Sequence, residues 1–143
     1  MNRKILLIEP NYKNKYPPMG LMKLATYYRK QGDDVRFFKG DLKEFAAQLL
    51  CEEYLEKVGD QSLGKYVPKI IEHIRRGNFA PLDAIPGFRG TDREDLLKEY
   101  RIRYKSKDYP KFDIVAVTTL FTFYWKETVE TINFAKNFCA DSG

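Results

Sequence analysis

The chain has 143 residues, 43% hydrophobic and 31% charged, with a formal net charge of +5, the composition of a soluble globular protein. That length suits one domain burying roughly two-thirds of its unfolded surface. No apolar run approaches the ~20 residues of a membrane span and the start lacks a signal-peptide pattern, so the chain reads as cytoplasmic.

Lys4 to Glu9 is an apolar run suited to a strand covered on both faces of a parallel sheet, and Pro10 ends it. Pro17 and Pro18 precede a helix in which Leu21, Leu24, Ala25 and Tyr28 form one stripe expected to be buried. Gly32 supplies the left-handed stop, and Val35 to Phe38 is a second strand closed by Gly40-Asp41. Leu42, Phe45, Ala46, Leu49, Leu50 and Leu55 mark an amphipathic helix. Leu63, Tyr66, Val67, Ile70, Ile71 and Ile74 mark another, with Pro68 in its first turn or kinking it and Gly77-Asn78 ending it. The prolines and glycines between Asn78 and Asp92 predict an irregular loop. Glu94 to Tyr104 reads as helix from Leu96, Leu97 and Tyr100, although Arg101 to Tyr104 alternates like a strand. Phe112 to Thr119 is the third strand, and a last helix runs from Phe123 to Cys139, burying Trp125, Val129, Ile132 and Ala135.

Right-handed crossovers place the first strand in the middle, giving an α/β parallel sheet of order 2-1-3. Ligands of such sheets bind where the connection reverses direction, between strands one and three. The loops after those strands, Asn11 to Pro18 and Thr119 to Tyr124, therefore flank the expected crevice. The roughly seventy residues between strands two and three exceed an ordinary crossover and form a helical insertion at about 41–109. Three strands are fewer than such sheets usually have, and strand three would be a bare apolar edge. The chain is thus expected to be a fragment of a longer protein, with that edge covered by a homodimer partner or by the insertion.

The opening Ile5-Leu6-Leu7-Ile8-Glu9-Pro10-Asn11-Tyr12, followed by Pro17-Pro18-Met19-Gly20-Leu21 and an alanine-bearing helix ending in Gly32, resembles the cobalamin-binding-type domain of radical S-adenosylmethionine proteins. The run from Lys111 to Thr122, an aspartate opening an apolar strand that ends in small hydroxyl residues, is similar to the third strand of that family. The resemblance covers about half the chain, at its two ends, and leaves 41–109 unmatched. It implies a Rossmann/flavodoxin-like sheet, incomplete here, accessory to a domain that carries an iron–sulfur cluster and cleaves S-adenosylmethionine. It also implies cobalamin as a candidate cofactor and the remainder of the parent protein as partner. The C-x3-C-x2-C cluster motif is absent, so cluster and S-adenosylmethionine belong to the missing part of the parent. The later strand and its glycine-rich loop, which face the corrin nucleotide tail in cobalamin binders, are absent too. The Asp-x-His-x-x-Gly cobalt-ligating signature is also missing, although many radical enzymes of this class lack it.

Glu9, at the end of the central strand, suits a cation or ligand hydroxyls, or is simply a polar strand end. Asn11 and Tyr12 lie where a cofactor edge would approach, though Asn is also a turn former. Met19-Gly20 offers backbone donors at a helix start, unless Gly20 serves only close helix–sheet packing. Thr118, Thr119 and Thr122 can present hydroxyls, and threonine equally serves strands and caps. Phe121, Phe123, Tyr124 and Trp125 suit packing better than a flat-cofactor pocket. His73, the single histidine, reads as an exposed or half-buried helix residue, and Cys51 and Cys139 as buried packing residues with no metal spacing. No metal site and no catalytic residue is predicted.

Two other functions compete. A receiver-like interaction module needs an acidic pair after strand one and an aspartate ending strand three; Glu9 stands alone, and Thr118-Thr119 replaces the aspartate. The basic segment 75–111 suggests nucleic acid, but Glu72, Asp92, Glu94, Asp95, Glu99 and Asp108 intersperse it, as in a solvated mixed-charge face. No nucleophile–base arrangement is legible.

Overall fold

The structure is a computed structural model describing residues 3–9, 19–117 and 125–139. Its elements run β1 (Lys4–Glu9), α1 (Met19–Lys30), β2 (Asp34–Lys39), α2 (Leu42–Val58), α3 (Val67–Arg76), α4 (Ala80–Asp83), α5 (Asp92–Lys105), β3 (Ile114–Val117) and α6 (Trp125–Ala135). Short 3-10 turns occupy Gln61–Tyr66 and Lys136–Phe138. The chain divides into two compact units: Met1–Leu42 with Lys111–Gly143, which holds the sheet, and the helical insertion Lys43–Pro110.

In the sheet unit all three strands are parallel, in the order β2-β1-β3. Ile5, Leu6, Leu7 and Ile8 are each 0% exposed, which is why β1 reads as an uninterrupted apolar run: apolar residues are needed on both faces of a central parallel strand. Ile5 and Leu7 pack with Ala25 of α1, and Tyr28, Val35, Ile114 and Ala116 close around them. The helix meets the sheet along a narrower strip than the apolar stripe predicts, because Leu24 lies on its flank, 39% exposed. Gly32, at φ +85°, ends α1 with paired bonds from Gly32 N–H to the Arg29 carbonyl and Asp33 N–H to the Tyr28 carbonyl, a Schellman closure.

Polar clamps hold the amino ends of the strands. The Arg3 guanidinium donates to both Asp33 carboxylate oxygens, Nη2 at 3.0 Å from Oδ2, and Asp34 N–H donates to the Arg3 carbonyl. On the other side Lys4 N–H donates to Asp113 Oδ2 at 2.8 Å, while Asp113 N–H returns a bond to the Lys4 carbonyl. These clamps help set the register Ile5↔Val35 and Ile5↔Ile114.

Strand β3 is shorter at its start than the run from Phe112 predicts. Phe112 N–H donates to the Phe138 carbonyl at 2.7 Å and forms a parallel bridge with Cys139, on the opposite side from β1. Helix α6 ends at Ala135, where the backbone tightens into the 3-10 turn that buries Phe138. Ala135 is buried as expected, whereas Ile132 is exposed. Thr118 and Thr119 lie outside the described residues.

In the helical unit the predicted single stripe from Leu63 to Ile74 is two elements. Proline lacks the N–H that a continuing α-helix requires at residue 68, so the 3-10 turn stops at Tyr66 and α3 restarts with Pro68 in its first turn. The predicted loop 78–92 contains the one-turn α4 and buries Leu82, Ile85 and Phe88. Residues 101–104 are helical: Leu97 and Tyr100 set the buried face of α5, and Ile102 is exposed. His73 is buried, contrary to its reading as an exposed or half-buried residue; its Nδ1 lies 2.7 Å from the Asn78 carbonyl, at the C-terminal end of α3. The bond ties the helix end to the following loop, which is what draws the ring inward.

Two outcomes follow from this packing. Gly77 has φ +75°, and a Cβ there would stand 2.9 Å from the Arg101 guanidinium, which caps α3 by donating to the Ile74 and Arg75 carbonyls. Gly77→Ala should therefore cost at least about 1–2 kcal/mol in urea unfolding, and an unchanged midpoint would reject this role. Hydrogen bonds from Arg3 hold the Asp33 carboxyl below its ordinary range. A lowered folded pKa stabilises above the unfolded value and is lost as pH falls through the folded one. Asp33→Asn should accordingly be less stable than the parent at pH ~7, with the gap closing towards pH ~2; a gap independent of pH would contradict it.

Candidate functional site

Glu9 closes β1 at the carboxyl end of the central strand, where open parallel sheets receive ligands. Side chains alternate along a strand, so Glu9 shares the face of Ile5 and Leu7 that α1 covers. It pairs in register with Lys39, the last residue of β2. The Glu9 side chain is only 1% exposed, and neither carboxylate oxygen accepts a hydrogen bond from a described residue. The Lys39 ammonium stands 3.8 Å from Oε2, with the Lys39 side chain 35% exposed.

Magnitudes show how poorly this carboxylate is satisfied. An ion pair at that separation contributes about 4 kcal/mol at an effective dielectric of ~20, against a desolvation penalty of several kcal/mol per buried ion. Exposure of Lys39 weakens the ion pair further, and no hydrogen bond accepted from a described residue adds to the offset. The other buried acids among the described residues differ. Asp33 accepts three hydrogen bonds from Arg3. Glu94 has Arg89 Nε 2.6 Å from its Oε2, in ion contact though off the angle of a hydrogen bond. Glu9 alone among these buried acids lacks a close partner.

Of the other predicted site residues, Met19 and Gly20 are the first two residues of α1. Asn11, Tyr12, Thr118, Thr119 and Thr122 lie outside the described residues. Sequence reading missed Lys39 because it ended the second strand at Phe38. Equal strand lengths in a 2-1-3 sheet would have paired the last residues of β1 and β2. No group of three or more His, Cys, Asp or Glu side chains among the described residues could hold a metal ion. No described helix is long and apolar enough to cross a membrane.

The basic segment is largely engaged locally. Arg89 pairs with Asp83 and Glu94, Arg93 with Asp60, and Arg103 with Glu53 and Asp108. Arg101 is spent on backbone carbonyls of α3. Hydrogen bonds from Ser62 lead the effects that lower the Asp60 carboxyl, with Arg93 adding to them. An open groove of about 520 Å³ along Glu52, Leu55, Glu56 and Asp60 has no convergent buried polar group comparable to Glu9. No protein-family model, curated protein or solved structure matches the chain.

The cysteines divide by environment. Cys51 is buried in α2, and burial pushes its thiol up to about 12. Cys139 is half-buried, more open than the packing role predicts, because it follows the last turn where the chain reaches the sheet edge. Iodoacetamide on the native protein should label Cys139 and leave Cys51 unmodified until unfolding, since the thiolate is the nucleophile. Equal labelling by peptide mass spectrometry would refute this.

Proposed function

We propose that the chain is an accessory cofactor-binding-type domain of a radical S-adenosylmethionine enzyme, without catalysis of its own. Cobalamin is the cofactor this reading favours, and the remainder of the parent protein is the partner. The iron–sulfur cluster and the cleavage of S-adenosylmethionine belong to that remainder. The observation that carries the reading is the β2-β1-β3 order, which puts the reversal of connection beside the carboxyl end of β1. The opening motif from Ile5 to Val35 supports it, with Met19-Gly20 starting α1.

The outer side of β3 supports a partner as well. Its four apolar residues are all half-buried, and among the described residues β3 pairs only with β1, the isolated Phe112–Cys139 bridge lying just before it. A further strand of the parent protein would cover this edge, with a second copy of the chain as the alternative occupant. Nucleic-acid binding is the weaker reading, because at least four of the arginines in the basic segment already have partners within the helical unit.

Hydroxocobalamin titrated into the isolated chain should give weak binding or none by ultraviolet–visible spectroscopy, and S-adenosylmethionine should not be cleaved. Tight stoichiometric binding would overturn the reading of an incomplete site. The parent assignment is tested separately by the genomic reading frame downstream of the Gly143 codon, where a C-x3-C-x2-C motif is expected. A long continuation without that motif would remove the assignment.

A further inference from the structure

We infer that Glu9 anchors a neutral ligand through a pair of hydrogen-bond donors, presented as a vicinal diol or a primary carboxamide. The inference rests on the reading of the β1 end as a ligand site and names the chemistry that site accepts. The two oxygens of a carboxylate can each receive a donor, and in Glu9 neither receives one from a described residue. Burial removes water as the ordinary substitute, so the missing partner is worth more here than on the surface.

The surroundings narrow the ligand. Lys39 already places a cation 3.8 Å from Oε2, which disfavours a divalent metal. Among the described residues no further acidic, histidine or cysteine side chain completes a metal-binding group. An anionic group facing Glu9 would be repelled. A neutral donor pair satisfies both oxygens and leaves the charge balance with Lys39 intact. A purely structural role explains Glu9 poorly. Ile5 and Leu7 precede it on the same face, and an apolar residue would complete that row without loss. The residues that do serve structure, Asp33 and Glu94, have close partners.

The test compares thermal unfolding of the full chain with Glu9→Gln and Glu9→Leu, each alone and with three probes. Hydroxocobalamin supplies carboxamides, adenosine supplies a vicinal diol, and 2′,3′-dideoxyadenosine lacks the diol. At about ten times its Kd a probe raises the midpoint by roughly 3–6 °C for a chain of this size, so even weak binding is visible near 1 mM. The expected result is a rise with hydroxocobalamin or adenosine in the parent, lost in Glu9→Leu, and no rise with the dideoxy probe. Which probe acts identifies carboxamide or diol. Without probes, Glu9→Leu should unfold at a higher temperature than the parent, because an under-satisfied buried charge is gone. Glu9→Gln keeps the shape and half the acceptors, so it should bind more weakly than the parent and remains informative if the leucine variant fails to fold.

No rise with either probe, a rise of equal size in both variants, or a rise with the dideoxy probe matching that of adenosine would overturn the inference. A downstream frame without the cysteine motif would remove the parent assignment and leave this result standing. A Glu9-independent cobalamin response would do the reverse.

Discussion

The sheet unit depends on the burial of one strand. Ile5 to Ile8 lose all solvent contact, and β1 pairs in parallel on both sides. A strand covered on both faces carries no polar side chain cheaply, so polar residues are pushed to its two ends. Each end then has its own chemistry. At the amino end, the Arg3 guanidinium pairs with Asp33 and the Lys4 N–H with Asp113. At the carboxyl end stands Glu9, equally buried and far less satisfied.

That asymmetry is the main functional argument. Natural proteins satisfy buried polar groups as a rule, and an exception calls for an explanation. Asp33 and Glu94 show that this protein can pair a buried acid closely. Glu9 departs from them at the edge of the fold where ligands of open parallel sheets collect. The cost of an under-satisfied carboxylate is tolerable where binding removes it, in the same way that functional sites hold strain that the scaffold opposes. The loose contact to Lys39 fits this view: it offsets charge and leaves the acceptor positions open.

The helical unit follows a different logic. Its ends and turns are set by backbone chemistry, with Asp60 capping the 3-10 turn, Pro68 forcing a restart and Gly77 closing α3 in the left-handed region. Arginines then stitch the pieces together. Arg93 reaches Asp60 and the Gly87 carbonyl, and Arg101 covers the open carbonyls of α3. The clustering of basic residues along 75–111 therefore says little about a nucleic-acid surface, because at least four of its arginines have internal partners. A run of basic residues in sequence does not show which side chains are already held by neighbours in the fold.

Local chemistry by itself determined the strand and helix types, the left-handed stop at Gly32, the helix end at Gly77-Asn78, and the 2-1-3 order, because apolar period, proline, glycine and crossover handedness all act over short stretches. It also singled out Glu9 as a polar residue at a strand end. Only the tertiary structure decided that Glu9 is fully buried, that Lys39 is its neighbour, that Leu24 and Ile132 face outward, and that His73 turns inward towards Asn78. Burial depends on what the rest of the chain places over a residue, and pairing across strands depends on a register shared by segments thirty residues apart. No short window of sequence contains either quantity.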